Sequence, residues 1–167
     1  MWGCFAVKLI AAVSKNWGIG KDNKLLFSIP TDMKFFRTAT MGKTVIMGRK
    51  TLESFPGGKP LKNRRNIVLS SGKSVADGAE LAASVGDALK TAPDDAFVIG
   101  GESVYRQLLP YCDEAYITKV FEECEADAFF PNLDEDSEWY MEKEGEEISE
   151  NGHTFRFCTY KRKEAGE

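Results

Sequence analysis

The sequence predicts an α/β fold: an open sheet, parallel at its centre and mixed at one edge, with helices on its faces. Three observations predict it. Short apolar runs alternate with amphipathic segments up to about residue 120, the order produced by strands joined through crossover helices. Several runs, such as Leu9-Ile10-Ala11-Ala12-Val13 and Thr44-Val45-Ile46-Met47, lack a two-residue alternation, as strands covered on both faces do. Beyond residue 120 the pattern changes, and residues 139–147 and 153–161 flank Asn151-Gly152, a strong signal for an antiparallel hairpin. With 167 residues, 43% of them hydrophobic, the chain is expected to form one domain, 1–167, with its own core.

The first strand covers residues 5–13 and ends at Ser14-Lys15-Asn16. Residues 16–28 hold two glycines and two asparagines with no period, and read as a long loop of the kind that carries function. Pro30 opens a helix, where its missing N–H costs nothing; Asp32 lies in the first turn, and Met33, Phe36 and Arg37 follow at helical spacing. A buried strand at 44–48 runs into a short helix at 49–54, which Phe55-Pro56-Gly57-Gly58 ends. Residues 66–71 form the third strand and 79–83 a weak fourth. Ser84 is placed to cap a helix over 85–91, with Asp87 at its favourable end. A strand at 96–99 leads into Gly100-Gly101. The segment 102–109 is amphipathic, with Val104, Leu108 and Leu109 on one face, and Pro110 stops it; 115–120 is the next strand.

The composition excludes several chemistries. There is one histidine, His153, and the four cysteines (Cys4, Cys112, Cys124 and Cys158) contain no CxxC pair. A zinc ribbon or a thioredoxin-type site is therefore not expected, nor any other metal site. The cysteines read as free thiols of a reducing compartment, and His153, at the start of a hairpin strand, as a solvated surface residue. The apolar run at 9–13 is too short to span a bilayer and carries no signal-peptide pattern, so the expected location is the cytoplasm, away from membranes. The net charge of −4 averages two opposite halves: residues 1–75 hold 14 Lys+Arg against 3 Asp+Glu, and residues 76–167 hold 8 against 23. The basic half lacks the interleaved aromatics of a nucleic-acid binder.

Ligands of open α/β sheets bind outside the carboxyl ends of the strands. Those ends read Gly18-Ile19-Gly20, Gly48-Arg49-Lys50-Thr51, Ser70-Ser71-Gly72-Lys73 and Gly100-Gly101-Glu102-Ser103. Small residues there let backbone N–H groups approach an anion, and two of the ends add cations. This suits a ligand with several phosphates, although the GxGxxG fingerprint of a Rossmann domain is absent. Asp32 is the odd carboxylate, flanked by Phe27, Ile29, Met33, Phe35 and Phe36. It is either a solvated first-turn acid or a carboxylate in an apolar cleft, its pKa raised by desolvation and its oxygens facing an amidine-like heterocycle. Asp22 reads as a loop acid and Glu53 as a helix-surface acid.

These pieces, in their order and spacing, resemble the dihydrofolate reductase family over most of the chain. The resemblance rests on Leu9-Ile10-Ala11-Ala12, Gly18-Ile19-Gly20 with Asn23, Ile29-Pro30-Thr31-Asp32, and the run Val45 through Thr51. It continues with Arg64-Arg65-Asn66-Ile67-Val68-Leu69-Ser70, Val98-Ile99-Gly100-Gly101, Tyr105, Tyr116-Ile117-Thr118, Ala126-Asp127 and Phe130-Pro131. It implies an eight-stranded, mostly parallel sheet with four helices and a C-terminal antiparallel hairpin, and hydride transfer from NADPH to 7,8-dihydrofolate. It also implies that antifolate inhibitors bind, and that the chain works as a monomer.

By position, the resemblance makes Asp32 the single ionisable group of the pterin pocket, assisting protonation, with Thr118 bridging to it and Phe27 beside it. Ile10, Phe36 and Ile99 would pack on the pterin, Phe36, Phe55 and Leu61 would line the aminobenzoyl channel, Met33 would also belong to the substrate site, and Arg64 would pair with the glutamate α-carboxylate. The cofactor would meet Ala12, Ile19, Gly20 and Asn23 from the first loop. It would meet Gly48, Arg49, Lys50, Thr51, Leu69, Ser70 and Ser71 from the next two strand ends, with Lys73 as a further cation for the 2′-phosphate. From the last strand end it would meet Ile99, the cis pair Gly100-Gly101, Glu102, Ser103, Val104 and Tyr105. Residues 15–25 resemble a mobile loop over the nicotinamide, held by Asp127. The sequence departs from the family at Leu26-Phe27, where Pro-Trp is usual, at Ser103, where some relatives have arginine, and at Ala128, a common threonine. The segment Pro56-Gly57-Gly58-Lys59 is also slightly longer than in short bacterial forms. The alternative is the pyrimidine reductase of riboflavin synthesis, which shares fold and cofactor; Asp32 in its Ile-Pro-Thr-Asp context and Arg64 favour the folate reading.

Overall fold

Crossover helices on both sides of the strands oblige most of them to be apolar on both faces, and the structure uses them that way. The computed structural model describes residues 7–72 and 75–163; Cys4, Phe5 and Lys73 of the sequence reading lie outside them. The elements are β1 (Val7–Val13), β2 (Gly18–Lys21), β3 (Lys24–Leu25), α1 (Pro30–Thr40), β4 (Thr44–Gly48), α2 (Arg49–Ser54), β5 (Arg65–Leu69), β6 (Ala79–Ala82), α3 (Val85–Thr91), β7 (Phe97–Gly100) and α4 (Glu102–Leu108). They continue with β8 (Cys112–Val120), β9 (Ala128–Phe129), β10 (Trp139–Glu144), β11 (Ile148–Glu150) and β12 (His153–Arg162).

The main sheet runs β10-β12-β8-β1-β7-β4-β5-β6, with β11 also paired to β12. All pairings from β8 to β6 are parallel, and the β8–β12 and β10–β12 pairings are antiparallel. The sheet is thus parallel at its centre and mixed at one edge, as the sequence predicts. Strand alternation sorts the core into two layers. Val45, Met47, Val68 and Phe97 pack with Phe35, Phe36 and Ala39 of α1 and Leu52 of α2. Ile46, Ile67 and Val98 pack with Ala88 of α3 and with Val104, Tyr105 and Leu108 of α4. No helix among the described residues is long and apolar enough to cross a membrane.

The connections mark the place where a ligand crevice is expected. From β1 the chain passes through α1 to β4; from β7 it passes through α4 to β8, on the opposite side. Neighbouring strands whose connections diverge in this way form the switch point where α/β sheets bind ligands. β1 and β7 pair only at Lys8↔Phe97 and Leu9↔Val98. Beyond them the strands part, and the Tyr105 hydroxyl donates to the Ile10 carbonyl at 2.7 Å.

Two expectations about the chain trace are corrected. Residues 16–28 are not an aperiodic loop: β2 and β3 form a hairpin that joins β9 in a small separate sheet. The signal was Asp22-Asn23, both with positive φ (53° and 61°), a pair suited to a tight turn between two short strands. The segment 139–147 is likewise not one strand. It breaks at Gly145, whose N–H donates to the Phe157 carbonyl, so that β10 and β11 take turns against β12. The turn Asn151-Gly152 has positive φ at both residues, 51° and 81°, as a two-residue hairpin requires.

The Ser84 cap forms as predicted: its hydroxyl accepts from the Asp87 N–H at 3.1 Å. Ser84→Ala should lower the free energy of unfolding by about 1 kcal/mol, read from urea unfolding, while leaving turnover unchanged because α3 lies on the face away from α1.

Candidate active site

The alternation of β8 decides what faces α1. Ala115 and Ile117 point into the α3/α4 layer, whereas Tyr116 joins the α1/α2 layer and Thr118, two residues on, shares its face. Asp32 is carried to the same place by the first turn of α1. The two meet across 86 positions of sequence: Thr118 Oγ1 donates to Asp32 Oδ1 at 2.6 Å. Thr118 is buried and Asp32 half-buried. Burial pushes the Asp32 carboxyl above its ordinary value of 3.8, and the Thr118 hydrogen bond offsets part of that rise. Asp32 is therefore not a solvated first-turn acid: it is half-buried and its carboxyl is held by Thr118.

The cleft gathers most of the apolar residues singled out above. Ile10 is buried, and Phe36, Phe55, Leu61 and Ile99 pack against the same cluster, half-exposed toward the crevice. Phe27 is buried in an adjoining cluster with Ile29, Val120 and Phe155, against which Ala12 and Leu26 pack. Met33 stands apart, about half exposed, with the Ser28 hydroxyl against its sulfur at 3.3 Å.

Arg64, just before β5, is in an unusual position. Its Nε is buried without a hydrogen-bond partner among the described residues. Burial lowers its pKa, and the neighbouring Arg37 lowers it further. An unpaired buried guanidinium atom beside a second guanidinium destabilises the protein alone and is the arrangement an incoming anion relieves. The role of Arg37 as neighbour was missed from sequence, where it marked only helical spacing.

On the other side of the crevice, the glycine-bearing strand ends come together. The Gly100-Gly101 bond is cis and Gly100 has φ 137°; a Cβ there would lie 3.3 Å from Thr51 Oγ1. A Cβ on Gly72 would lie 2.5 Å from an Arg49 terminal nitrogen. Arg49 Nε donates to Ser70 Oγ at 3.0 Å, and the Gly72 N–H donates to the same oxygen at 3.0 Å. Asn23 Nδ2 reaches the Lys50 carbonyl at 3.3 Å, while Lys50, Ser71 and Ser103 are exposed. Gly48 sits close under Val104, where a Cβ would be 3.1 Å from Cγ2. Ile19, Leu69, Val104 and Tyr105 serve the α3/α4 core layer at the same time. Gly20 lies in β2 against Lys24 of β3. Glu102 accepts from the Phe129 N–H at 2.9 Å and pairs with Arg106, which ties α4 to the small sheet.

The β2–β3 hairpin is held from the 122–130 segment. Asp127 Oδ2 accepts from the Asp22 N–H at 3.0 Å, and the Asp127 N–H donates to Gly20 O at 3.0 Å. Asp22 is thus more than a loop acid: its backbone is the anchor point. Glu53 is exposed, as expected. His153 is the third correction. It is half-buried, pairs through Nδ1 with Glu122, and meets the Phe27 ring edge-on at 5.8 Å. The hairpin bends its first residue inward against the cleft wall, which strand alternation alone does not reveal.

A sheet parallel at its centre, with a topological switch point and a half-buried carboxyl held by a hydroxyl beside it, is the architecture of an α/β protein that binds a small molecule. The family model described as Dihydrofolate reductase matches residues 6–162. The chain is 40% identical over 162 residues to dihydrofolate reductase of Bacillus subtilis (strain 168), covering 94% of this chain and 95% of that one. It is 42% identical over 159 residues to that of Neisseria meningitidis serogroup A / serotype 4A (strain DSM 15465 / Z2491), covering 93% and 98%. To that of Staphylococcus haemolyticus it is 36% identical over 167 residues, covering 97% and 99%. The chain belongs to the dihydrofolate reductase family and is an oxidoreductase.

Proposed function

We propose that the chain reduces 7,8-dihydrofolate to 5,6,7,8-tetrahydrofolate with NADPH, and that Asp32 assists protonation of the pterin. The observation that carries this reading is the Asp32–Thr118 pair: a half-buried carboxyl with one oxygen held by a hydroxyl at 2.6 Å and its proton affinity raised by burial. With Thr118 on Oδ1, Oδ2 is left to accept from a pterin amino group or ring N–H. A raised pKa lets the same carboxyl hold a proton to higher pH than an ordinary aspartate. Bound NADPH supplies the hydride.

The chain's own residues fit a phosphorylated cofactor. The spaces that a Cβ would fill at Gly72 and Gly100, the Arg49–Ser70 pair and exposed Lys50 form an anion-receptive rim at two strand ends. Arg49 and Lys50 would hold the 2′-phosphate and pyrophosphate region, with Thr51, Gly101, Glu102 and Ser103 around it. Ile10, Phe36 and Ile99 orient the pterin and exclude water, Phe55 and Leu61 guide the aminobenzoyl group, and Arg64 takes the tail carboxylate with Arg37 beside it. Phe27 has no indole N–H, so any water near the pterin must be held by other groups. We further propose that residues 1–167 act as one domain, as a monomer in the cytoplasm, and bind antifolates that mimic the pterin.

The test is the fall in absorbance of NADPH with and without dihydrofolate, using folded protein. Oxidation that requires dihydrofolate supports the reading; none, with turnover of an aminopyrimidine ribityl substrate instead, replaces it with the riboflavin-type reaction. Arg49→Ala combined with Lys50→Ala should narrow the preference for NADPH over NADH by about 100-fold, the scale of one or two charge-assisted hydrogen bonds. The ratio of kcat/KM for the two cofactors measures it.

A further inference from the structure

The start of α1 poses a problem that a distant residue solves. The first N–H groups of a helix have no partner within it. Here the residue before the helix is Ile29, which supplies no side-chain cap, and Pro30 lacks an N–H. The next donor, Thr31, is satisfied from 119 positions away: its N–H donates to Glu150 Oε1 at 2.9 Å and its hydroxyl to Glu150 Oε2 at 2.8 Å. Both carboxylate oxygens thus grip the residue immediately before Asp32. A carboxylate at this end of a helix is also favoured by the helix dipole.

The grip is preorganised. Glu150 ends β11 at the Asn151-Gly152 turn, and β11 is fixed to β12 by Ile148↔Phe155, Ser149↔Thr154 and Glu150↔His153. Ile148 packs on the cluster that contains Ile29, Phe27 and Phe155, so the hairpin and the entry to α1 share apolar contacts as well. The two neighbouring acids are set apart: donors from Thr31 hold the Glu150 carboxyl below its ordinary value, while burial raises that of Asp32. The groups acting on Asp32 are its apolar surroundings and Thr118, which leaves the backbone of α1 as the route by which Glu150 reaches it.

We infer that Glu150 is a positioning residue for the reaction: by clasping Thr31 through two hydrogen bonds, it fixes the first turn of α1 and with it the Asp32 carboxyl against Thr118. The inference rests on the reading of Asp32 as the acid of the reaction. The clasp needs acceptor geometry rather than charge, because one oxygen that accepts from the Thr31 N–H and a second group that meets the hydroxyl suffice. Glutamine supplies both.

The test uses the full-length protein. Glu150→Ala should lower kcat about tenfold, the effect of a small displacement of a catalytic group, with KM for NADPH unchanged. Glu150→Gln should restore kcat to within about twofold of the parent, consistent with a clasp of hydrogen bonds. Thr31→Val, which keeps the N–H and removes the hydroxyl, should fall between them. Ser149→Ala, on the same hairpin but facing Thr154 at 3.1 Å, is the control for hairpin stability. If Glu150→Ala does not fold, as read by circular dichroism, Thr31→Val and Glu150→Gln carry the comparison. Parent-like kcat in both Glu150→Ala and Thr31→Val overturns the inference, as does a loss in Glu150→Gln equal to that in Glu150→Ala, or a loss in Ser149→Ala as large. Combining Glu150→Ala with Asp32→Asn separates the two levels. If Asp32→Asn alone keeps parent turnover, the reading of Asp32 fails. If Asp32→Asn is impaired and Glu150→Ala lowers its residual rate by the same factor as in the parent, only the clasp fails, since groups acting as a unit are not additive.

Discussion

Replacing Asp32 by Asn is expected to reduce turnover of dihydrofolate by about 10²–10⁴-fold near neutral pH, the range for loss of a positioned acid, with little change in NADPH affinity. The expectation follows from the half-buried carboxyl and its Thr118 partner, set beside the α1/α2 apolar layer. The pH dependence has a definite sign. A carboxyl whose folded pKa is raised holds its proton further up the pH scale, so the Asp32-dependent rate should decline as pH rises through that elevated value. Asp32→Asn should lose this limb. Stability moves in the same direction with pH. Between the ordinary aspartate value of 3.8 and the raised one, the folded protein binds more protons than the unfolded chain, so stability falls as pH rises through this window. Above it Asp32 is ionised in an unfavourable setting. Asp32→Asn removes that cost, and should melt higher than the parent at pH 7, with the gap closing as pH falls below 3.8. Stopped-flow rates and melting curves across pH check both halves; turnover equal to the parent at pH 7 would remove Asp32 from the mechanism.

Arg64→Leu should raise KM for dihydrofolate about 30-fold or more, corresponding to loss of ~2 kcal/mol or more from a charge pair shielded from water, and leave KM for NADPH unchanged. Here too a stability measurement sharpens the test. Arg64 Nε is buried without a partner among the described residues, and Arg37 repels the guanidinium. Leucine in its place should leave the melting temperature equal or higher in the absence of ligand. A group that weakens the free protein and strengthens the complex is one retained for binding. Equal rises in KM for both ligands, or a lowered melting temperature, would give Arg64 a structural role instead.

How much of this was legible in the chain varies by element, for physical reasons. The central strands were readable because burial on both faces leaves uninterrupted apolar runs at 9–13, 45–47 and 67–69. The helices at 30–40 and 85–91 carried their own start signals in Pro30 and Ser84. The small sheet of β2, β3 and β9 was not readable, because its strands of two to four residues are too short for a period to show, leaving only the Asp22-Asn23 turn. The inward turn of His153 depends on Glu122 and Phe27, which come from other parts of the chain.

The sequence by itself determined the sheet's parallel centre, its hairpin edge and the residue types of the site. Those properties are local: periodicity, caps, turn pairs and small residues at strand ends. It also placed Arg49, Lys50 and Arg64 in a half with 14 cations against 3 acids, which suits anionic ligands. Only the tertiary structure decided between the two readings of Asp32, since desolvation and the Thr118 hydrogen bond arise when β8 and α1 meet. Only it brought Arg37 beside Arg64 and Glu150 onto Thr31. Burial and pairing between residues far apart in sequence are set by packing, and it is packing that half-buries a first-turn aspartate, raises its pKa and pairs it with Thr118.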